Sequence, residues 1–425
     1  MWRFIRGVCL VSVLAWGVSS PAQAQKPLTW DEVKQRFEAN NPTLLAGEIG
    51  IDESKAQEVT AYLRPNPQAS VGVDQIGNTT KQPFSAATLN ASVSYLHERQ
   101  HKRELRLESA QKATGIAVSS QSDLERNLIF NLRSAFVGTL QAKAILRVAT
   151  DNLAYWDQEL KISKDRFDAG DIAKIDLDRL ELQRVQFESD LQTAEVNLRT
   201  TKIQLLMLLN DKTPVDQFDV LGLYEFADQL PPVDQFRQIA QDNRPDLKAA
   251  VQAVDKANTD HKLAVANGST DPTITVDAGF PTISEAYLSY QPPLREYVGV
   301  GVGIPLRIFD RNQGEKTRTQ VDIDRNQKLL DAAQAQVFSD VDSAYATVNS
   351  NLILLRPYKS QYLEQAARVR DTMKFSYEHG GAALIDFLDA QKEYRDTELN
   401  YLNLIGSYLI AAGQLNLAVG REVLQ

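Results

Sequence analysis

The distribution of proline is the feature that most constrains what this chain can fold into. No proline occurs between Pro83 and Pro214, and after Pro305 the only one is Pro357. A proline inside a helix costs roughly 3 kcal/mol, because it removes a hydrogen bond and clashes with the preceding turn. Two long segments can therefore form very long helices, and the segments between them contain the prolines.

The landmarks of the chain repeat in a fixed order. Asn41-Pro42 opens one predicted helix and Arg244-Pro245 opens another, with an offset of 245 − 42 = 203 residues. Farther along, Phe167-Asp168-Ala169-Gly170 matches Tyr377-Glu378-His379-Gly380, with an offset of 380 − 170 = 210. Landmarks that match in a fixed order, some 200 residues apart, indicate a duplicated unit. We expect a first repeat over residues 25–230 and a second over residues 231–425.

Each repeat contains two segments in which apolar and polar residues alternate, as in a strand. They cover about residues 68–76, 87–96, 273–280 and 297–306. Strands of about ten residues with one apolar face are typical of outer-membrane proteins, although a soluble sheet would explain each one singly. Open strand edges are not tolerated in lipid. We therefore expect a barrel that several chains share, with three copies giving twelve strands.

Composition and the N-terminus indicate an exported protein. Residues 1–24 have the form of a signal peptide, with Arg3 and Arg6 before an apolar core and Ala22-Gln23-Ala24 as the cleavage site. The single cysteine, Cys9, lies inside this segment, so no disulfide is expected. After residue 24 no run approaches the ~18 consecutive apolar residues of a membrane-spanning helix. The net charge of −9 argues against nucleic-acid binding.

The helical regions have a coiled-coil pattern. From Leu177 a spacing of three and four residues runs to Leu208, and eight of its ten positions are apolar. Gly170 and Gly380 fall where each helical region would reverse direction, since glycine tolerates the backbone conformation of a tight turn. Each repeat is therefore expected to end in a long helical hairpin.

Taken together, these features resemble the TolC family of outer-membrane efflux proteins. The most specific part is Ile304-Pro305-Leu306-Arg307-Ile308-Phe309-Asp310-Arg311-Asn312-Gln313-Gly314, which looks like the strand-to-helix junction of the CzcC-like heavy-metal branch. The segment from Tyr377 to Ala390 is nearly as specific. The resemblance covers essentially the whole mature chain.

The resemblance implies a mainly helical fold with a small transmembrane strand part. It implies a homotrimer, with a helical barrel in the periplasm joined to a shared twelve-stranded barrel in the outer membrane. A periplasmic adaptor (membrane fusion protein) and an inner-membrane pump, of the RND type, would deliver the substrate, and the chain would be neither an enzyme nor a cofactor protein. The expected cargo is heavy-metal cations. A drug, solvent or protein export channel of the same family is the alternative.

The gate of such a channel is predicted at the second hairpin. Asp386 and Asp389 lie three residues apart and share one helix face, so threefold symmetry would stack their carboxylates into rings that favour cations. In the family these two positions match the aspartates of the periplasmic aperture, and Asp176 matches the same turn in the first repeat. Asp176 and Asp386 could instead be helix-capping acids that the helix dipole favours.

The two turns are the expected docking sites for the adaptor, and they depart from the family pattern. The docking motif here reads Ala169-Gly170-Asp171 and His379-Gly380-Gly381. Ala382 occupies a position where the family often has arginine or threonine. His379 has two interpretations, a metal contact at the pore entrance or an ordinary solvated residue.

Two other functions are consistent with parts of the sequence. His97-Glu98-Arg99-Gln100-His101 is a literal H-E-x-x-H, the pattern of a zinc hydrolase in which two helical histidines bind the metal and the glutamate is the general base. Its position directly after a predicted strand instead favours a polar junction between strand and helix. A periplasmic coiled-coil adaptor would explain the helices, but not the four strands with lipid-facing patterns.

Overall fold

The computed structural model describes residues 26–74, 78–79, 82–83, 88–281 and 296–424, so the predicted signal peptide lies outside the described residues. The helices in this part of the chain are α1 (Trp30–Asn40), α2 (Pro42–Tyr62), α3 (Lys102–Asp168), α4 (Lys174–Leu208), α5 (Val233–Asn243), α6 (Pro245–Asn267), α7 (Gln313–Pro357), α8 (Leu363–Glu378) and α9 (Leu384–Val419). The strands are β1 (Gln68–Asp74), β2 (Asn78–Thr79), β3 (Gln82–Pro83), β4 (Thr88–Leu96), β5 (Thr273–Pro281) and β6 (Tyr297–Gly303). The described fold is thus mainly helical with a small strand part.

Four of the strands form one antiparallel sheet in the order β1-β4-β5-β6. They lie at the four segments in which the sequence alternates. The last of these strands ends at Gly303, three residues earlier than expected, because Gly303 pairs with Thr273, the first residue of β5. Within the described sheet, β1 and β6 each pair on one side only, so both are edge strands.

The register of the sheet places its large aliphatic residues on one face, except Leu96 at the end of β4, which lies opposite Thr273 on the other face. Val93 lies opposite Val276, and Val276 lies opposite Val300. These three valines are exposed to solvent in the single chain. On the other face Ser70 and Ser92 form a hydrogen bond of 2.8 Å across the sheet. The sheet therefore has one apolar and one polar face, and neither is the core of a soluble domain.

The chain divides into two compact units. The first consists of residues 26–37 with Ala135–Tyr224, and the second of Glu38–Ser134 with residues 225–424. In the first unit α4 packs against the second part of α3. The Trp156 Nε1 atom donates a 3.0 Å hydrogen bond to the Leu180 carbonyl, and the Trp156 and Phe187 rings lie 5.2 Å apart. All three side chains are buried, as the coiled-coil spacing from Leu177 predicts for Leu180 and Phe187.

In the second unit α7 packs against α5, α6 and α9. Arg244, whose side chain is almost completely buried, joins three of these elements. Its guanidinium donates hydrogen bonds to Asp246 (2.6 Å), Asp340 (2.8 Å) and the Ala418 carbonyl (3.3 Å). A buried arginine requires such partners, since an unpaired buried charge is very unfavourable. This cluster fixes the start of α6 against α7 and the end of α9.

Pro357 does not end the second long helical region. It is the last residue of α7, and a π-helical turn, Tyr358–Tyr362, connects it directly to α8. A π turn accommodates the missing proline N–H and commonly produces a local bend in a helix. The Tyr358 ring stacks 6.4 Å from that of Tyr401 on α9, so the π turn is packed against its neighbour.

One helix among the described residues, α9, is long and apolar enough to cross a membrane by length and composition alone. More than half of its most apolar window, 56%, is buried inside the protein. A search for consecutive apolar residues misses this helix, because Asn403 and Ser407 interrupt its apolar run. Its burial identifies α9 as a core helix of the second unit.

Candidate functional site

The first hairpin turn, in the first unit, connects α3 to α4 through a left-handed glycine. Gly170 has φ +84° and its N–H donates to the Phe167 carbonyl at 2.9 Å. The next N–H, that of Asp171, donates to the Arg166 carbonyl at 2.8 Å. These bonds satisfy carbonyl groups at the end of α3, which is the usual way that a glycine ends a helix.

The second hairpin turn, in the second unit, has the same geometry between α8 and α9. Gly380 has φ +74° and donates to the Tyr377 carbonyl at 3.2 Å, while Gly381 N–H donates to the Ser376 carbonyl at 2.7 Å. A Cβ atom added at Gly170 or Gly380 would meet nothing within 4 Å. The requirement for glycine at both turns is therefore conformational rather than a matter of space.

The two predicted gate residues of the second hairpin lie on the exposed side of α9. Asp386 and Asp389 are both exposed, whereas Phe387 and Ala390 are buried against the rest of the unit. The Phe387 ring stacks on that of Tyr377 from α8, with centroids 5.7 Å apart. The helix face that carries the carboxylates is thus held away from the interior of the hairpin.

Asp386 also caps its helix. Its Oδ2 atom accepts a 3.2 Å hydrogen bond from the N–H of Ala383, the residue before α9. Asp176 is the third residue of α4, as Asp386 is of α9. In the described part of the chain no hydrogen bond reaches the Asp176 carboxylate. Asp386 therefore forms the capping hydrogen bond of its helix, whereas Asp176 does not.

His379 lies on the exposed second turn and is held against the end of its own helix. Its Nδ1 atom is 2.8 Å from the Phe375 carbonyl oxygen, and its ring lies 4.0 Å from that of Phe375. No group of three or more histidine, cysteine, aspartate or glutamate side chains that could hold a metal ion is present among the described residues. A backbone carbonyl and an aromatic ring therefore explain the orientation of this imidazole.

Known proteins that are similar to this chain are outer-membrane and metal-resistance proteins. Residues 236–421 match the family described as "Outer membrane efflux protein". The chain is 23% identical to the cobalt-zinc-cadmium resistance protein CzcC of Cupriavidus metallidurans, over 94% of this chain and 92% of CzcC. It is 24% identical to the outer membrane protein TolC of Escherichia coli, over 96% of this chain and 84% of TolC.

The chain thus resembles outer-membrane efflux proteins over nearly its whole length, and the match to the family itself lies in the second repeat. The fold is that of solved channels in this family. It superposes on CusC with a TM-score of 0.78 at 17% identity, covering 92% of both chains, and on VceC of Vibrio cholerae with a TM-score of 0.74 at 14% identity, covering 93% of this chain and 97% of VceC. This efflux protein is thus a channel protein of the outer membrane, with its helical part in the periplasm.

The H-E-x-x-H segment of this efflux protein does not have the geometry of a zinc-binding helix. Its residues follow β4 and precede α3, which begins at Lys102. Gln100 and His101 have positive φ values of 60° and 55°, so the two histidines do not share a helix face. The Glu98 carboxylate is paired with Arg106, including an Nη2–Oε2 contact of 2.9 Å, and is not placed as a general base. The segment is a polar junction between strand and helix.

The efflux protein also has a buried polar residue that pattern analysis missed. Gln391 on α9 is 2% exposed, and neither atom of its side-chain amide has a hydrogen-bond partner among the described residues. The sequence contained a signal for its burial, since Leu384, Phe387 and Gln391 follow the three-and-four spacing of a core face. At the matching position of the first hairpin, Glu181 is more exposed and its carboxylate lies 3.5 Å from Lys164 Nζ.

Proposed function

We propose that three copies of this chain form a channel that passively conducts heavy-metal cations out of the periplasm. The sheet carries this proposal, since it has an apolar face and an unpaired edge on each side. Unpaired backbone groups in lipid cost several kcal/mol each. Pairing of β1 from one copy with β6 from the next would remove both edges. Three four-stranded sheets would then close a barrel of twelve strands.

We propose that the periplasmic end of the trimer docks with an adaptor and an RND-type inner-membrane pump. The two turns are the candidate contact points, and the proposed contact residues are Gly170, Asp171, His379, Gly380 and Gly381. These residues are exposed in the single chain. Both turns have a fixed backbone with left-handed glycines, so they offer preformed surfaces to a partner.

The proposed gate consists of Asp386 and Asp389, with Asp176 at the corresponding place of the first turn. Threefold symmetry would repeat each exposed carboxylate around the pore axis. Stacked carboxylate rings favour cations and repel anions in a constriction. Asp386 would then have two roles, because its capping hydrogen bond to Ala383 uses one carboxylate oxygen and leaves the other toward solvent.

The proposed cargo rests on two observations. The name of CzcC specifies resistance to cobalt, zinc and cadmium, and its similarity to this chain extends over nearly the whole of both proteins. The exposed carboxylates of α9 suit a cationic cargo. A drug, solvent or protein export channel is the second candidate, favoured by the similarly extensive match to TolC.

The first experiment concerns assembly. Light scattering of the detergent-solubilised protein is expected to give three chains per particle, and insertion into a planar bilayer is expected to give discrete conductance steps. A monomer that is released from membranes by salt, without detergent, would contradict the channel.

The second experiment concerns the gate. Asp386→Ala combined with Asp389→Ala is expected to raise single-channel conductance and to weaken block by multivalent cations about tenfold, or ~1.4 kcal/mol. Asp371→Ala is the control, because this exposed aspartate of α8 pairs with its neighbour Arg370 and is not proposed for the rings. Equal conductance and block in both variants would remove Asp386 and Asp389 from the gate.

The third experiment separates the cargo classes. A strain that lacks its own outer-membrane channel would receive this chain together with a metal pump and its adaptor, or with a drug pump and its adaptor. Restored growth on cobalt, zinc or cadmium only with the metal system supports the proposed cargo. Restored resistance to organic compounds only would favour the second candidate.

A further inference from the structure

The apolar face of β6 continues beyond the end of the strand. Val300 and Val302 are exposed on the apolar side of the sheet, and Ile304 and Leu306 follow at the same spacing of two residues. Leu306 is 80% exposed although the ladder has already ended at Gly303. The apolar surface is therefore longer than the hydrogen-bonded sheet.

A fixed turn follows and adds two more exposed apolar side chains. The Ile308 N–H donates to the Leu306 carbonyl at 2.9 Å, so the chain bends at Arg307. Ile308 and Phe309 come directly after the bend, and Phe309 is 90% exposed. Asn312 then fastens the segment to α6, because its Nδ2 atom donates to the Ala264 carbonyl at 2.7 Å. We refer to residues 304–311 as the β6 foot.

Cationic side chains accompany these apolar residues. The Arg311 Nε atom donates to the Arg307 carbonyl at 3.3 Å, which brings the two arginines of the foot together. Among the described residues no carboxylate lies within ion-pair distance of Arg307 or Arg311. The same is true of Lys316, which lies nearby with its Nζ atom beside Gly268. Arg307 is close enough to Asp271 for their charges to interact, but neither arginine of the foot forms an ion pair with a carboxylate of the described residues.

The acidic residues around the foot have other partners. Asp271, just before β5, pairs with the buried Lys102 at 2.5 Å and accepts the Arg99 N–H at 2.9 Å. Asp310, within the foot, accepts the Asn312 N–H at 2.8 Å. Glu315 pairs with Arg318 at 2.9 Å. These contacts leave the arginines of the foot available to an external anion.

We propose that the β6 foot inserts into the membrane surface and that Arg307 and Arg311 bind the phosphate groups of anionic phospholipids. Exposed aliphatic and aromatic residues suit the boundary between acyl chains and headgroups, and arginine matches phosphate with its planar donors. A lipid surface is favoured over a second copy of the chain because the apolar face of the foot is continuous with that of the sheet and carries unpaired cations. This inference rests on the proposed membrane-spanning channel.

The position of the foot can be measured with single cysteines, since Cys9 lies in the predicted signal peptide. Leu306→Cys and Phe309→Cys would be spin-labelled in the full-length protein and reconstituted into liposomes that contain phosphatidylglycerol. We expect both labels to be relaxed by oxygen, which enters lipid, and protected from a water-soluble nickel chelate. Phe375→Cys, at an exposed residue beside the second turn, is the control and should be relaxed by the nickel chelate.

The other outcomes each decide the question. Relaxation of both foot labels by the nickel chelate would place the foot in water and overturn the inference. Protection from both reagents would show that a neighbouring copy covers the foot, which also overturns it. A protein that does not float with the liposomes would contradict the proposed channel itself, and the inference with it.

The arginines are tested by the lipid that the purified protein retains. Arg307→Gln combined with Arg311→Gln is expected to reduce bound phosphatidylglycerol about fivefold for each charge removed, with bound phosphatidylcholine unchanged. Arg318→Gln is the matched control, since it removes a charge near the start of α7 that already has a carboxylate partner. Equal loss of phosphatidylglycerol in the control and the double variant would overturn the role of Arg307 and Arg311.

Discussion

The two hairpin turns have nearly the same backbone but different side-chain chemistry. Around the first turn the contacts are ionic, with Lys174 Nζ at 2.9 Å from Asp178 and Lys164 at 3.5 Å from Glu181. Around the second the rings of Tyr377 and Phe387 stack, beside one longer ion pair of 3.9 Å between Lys374 and Glu378. The same glycine-containing backbone turn thus carries different side-chain contacts in the two hairpins. Only the second hairpin has a pair of exposed aspartates, Asp386 and Asp389, at the start of the helix that follows its turn.

The starts of α2 and α6 are a second pair of sites with similar backbones and different side-chain contacts. Both helices begin with proline, which suits the first position of a helix. Before α2, the Asn41 side chain accepts hydrogen bonds from the N–H groups of Thr43 and Leu44. Before α6 the corresponding residue is Arg244, which binds carboxylates instead. A neutral cap and a charged cluster thus occupy matching places.

The largest expected effect comes from removing the charged cluster. Arg244→Met should lower the free energy of unfolding by about 3 kcal/mol, because breaking a buried ion pair leaves its partners without compensation. Asn41→Ala should cost only about 1 kcal/mol, as for an ordinary cap. Guanidinium unfolding in detergent measures both. Equal losses would contradict the distinction between the two helix starts.

The same pair of sites should differ in pH dependence. Burial alone would raise the pKa of Asp246, but the hydrogen bond and charge of Arg244, together with the charge of Arg126, hold that pKa below its ordinary value. A depressed carboxylate pKa contributes stability that is present above the ordinary value, near 3.8, and is lost as the pH falls through the lower folded value. The cost of Asp246→Asn should therefore be full at neutral pH and disappear in strong acid. The cost of Asn41→Ala should remain constant.

Because the two hairpin turns share one backbone conformation, replacing the left-handed glycine should cost the same stability at both turns. Gly170→Ala and Gly380→Ala should each cost about 1–2 kcal/mol, because an L-residue is strained at positive φ. Gly381→Ala is the control, since an added Cβ would lie at an ordinary 3.5 Å from the Ser376 carbonyl oxygen. Hydrogen exchange of the helix ends measures the local opening. A cost at only one turn would show that the two backbones are not equivalent.

A smaller difference is expected between Asp176 and Asp386, which lie in the first helical turns of α4 and α9. Asp386→Ala should lower stability by about 1 kcal/mol because it removes the hydrogen bond to the Ala383 N–H. Asp176→Ala should cost less than about 0.5 kcal/mol, the size of a helix-dipole interaction alone. Unfolding of the single variants, compared at one pH, provides the test. A larger loss from Asp176→Ala would reverse the assignment of the cap.

The smallest expected effect is a gain. Gln391→Leu should raise the free energy of unfolding by about 0.5–1 kcal/mol, since replacing a buried, unpartnered amide by an apolar side chain removes a desolvation cost. Glu181→Leu, at the matching position of the first hairpin, should give no gain, because it removes the ion pair with Lys164. A loss of stability in Gln391→Leu would indicate that the amide is satisfied in the assembled protein.

Much of the local structure could be predicted from the sequence, because short-range rules govern it. The alternation of valine and glycine in residues 297–303 predicted a strand with one apolar face, and the turn at Gly170 was predicted because glycine falls where the helical region would reverse direction. The literal H-E-x-x-H was ambiguous because a motif specifies residue types but not backbone angles. His101 at φ 55° resolves that ambiguity.

The sequence by itself determined the periods of two and of three to four residues, the points where the chain must turn, and the resemblance to the efflux family. Tertiary structure decided which side chains meet: that Glu98 pairs with Arg106, that Arg244 joins α6, α7 and α9, and that Gln391 is buried without a partner. The physical reason is range. Backbone conformation follows from sterics within a few residues, whereas ion pairs and burial depend on residues far apart in the chain, which only the folded packing brings together.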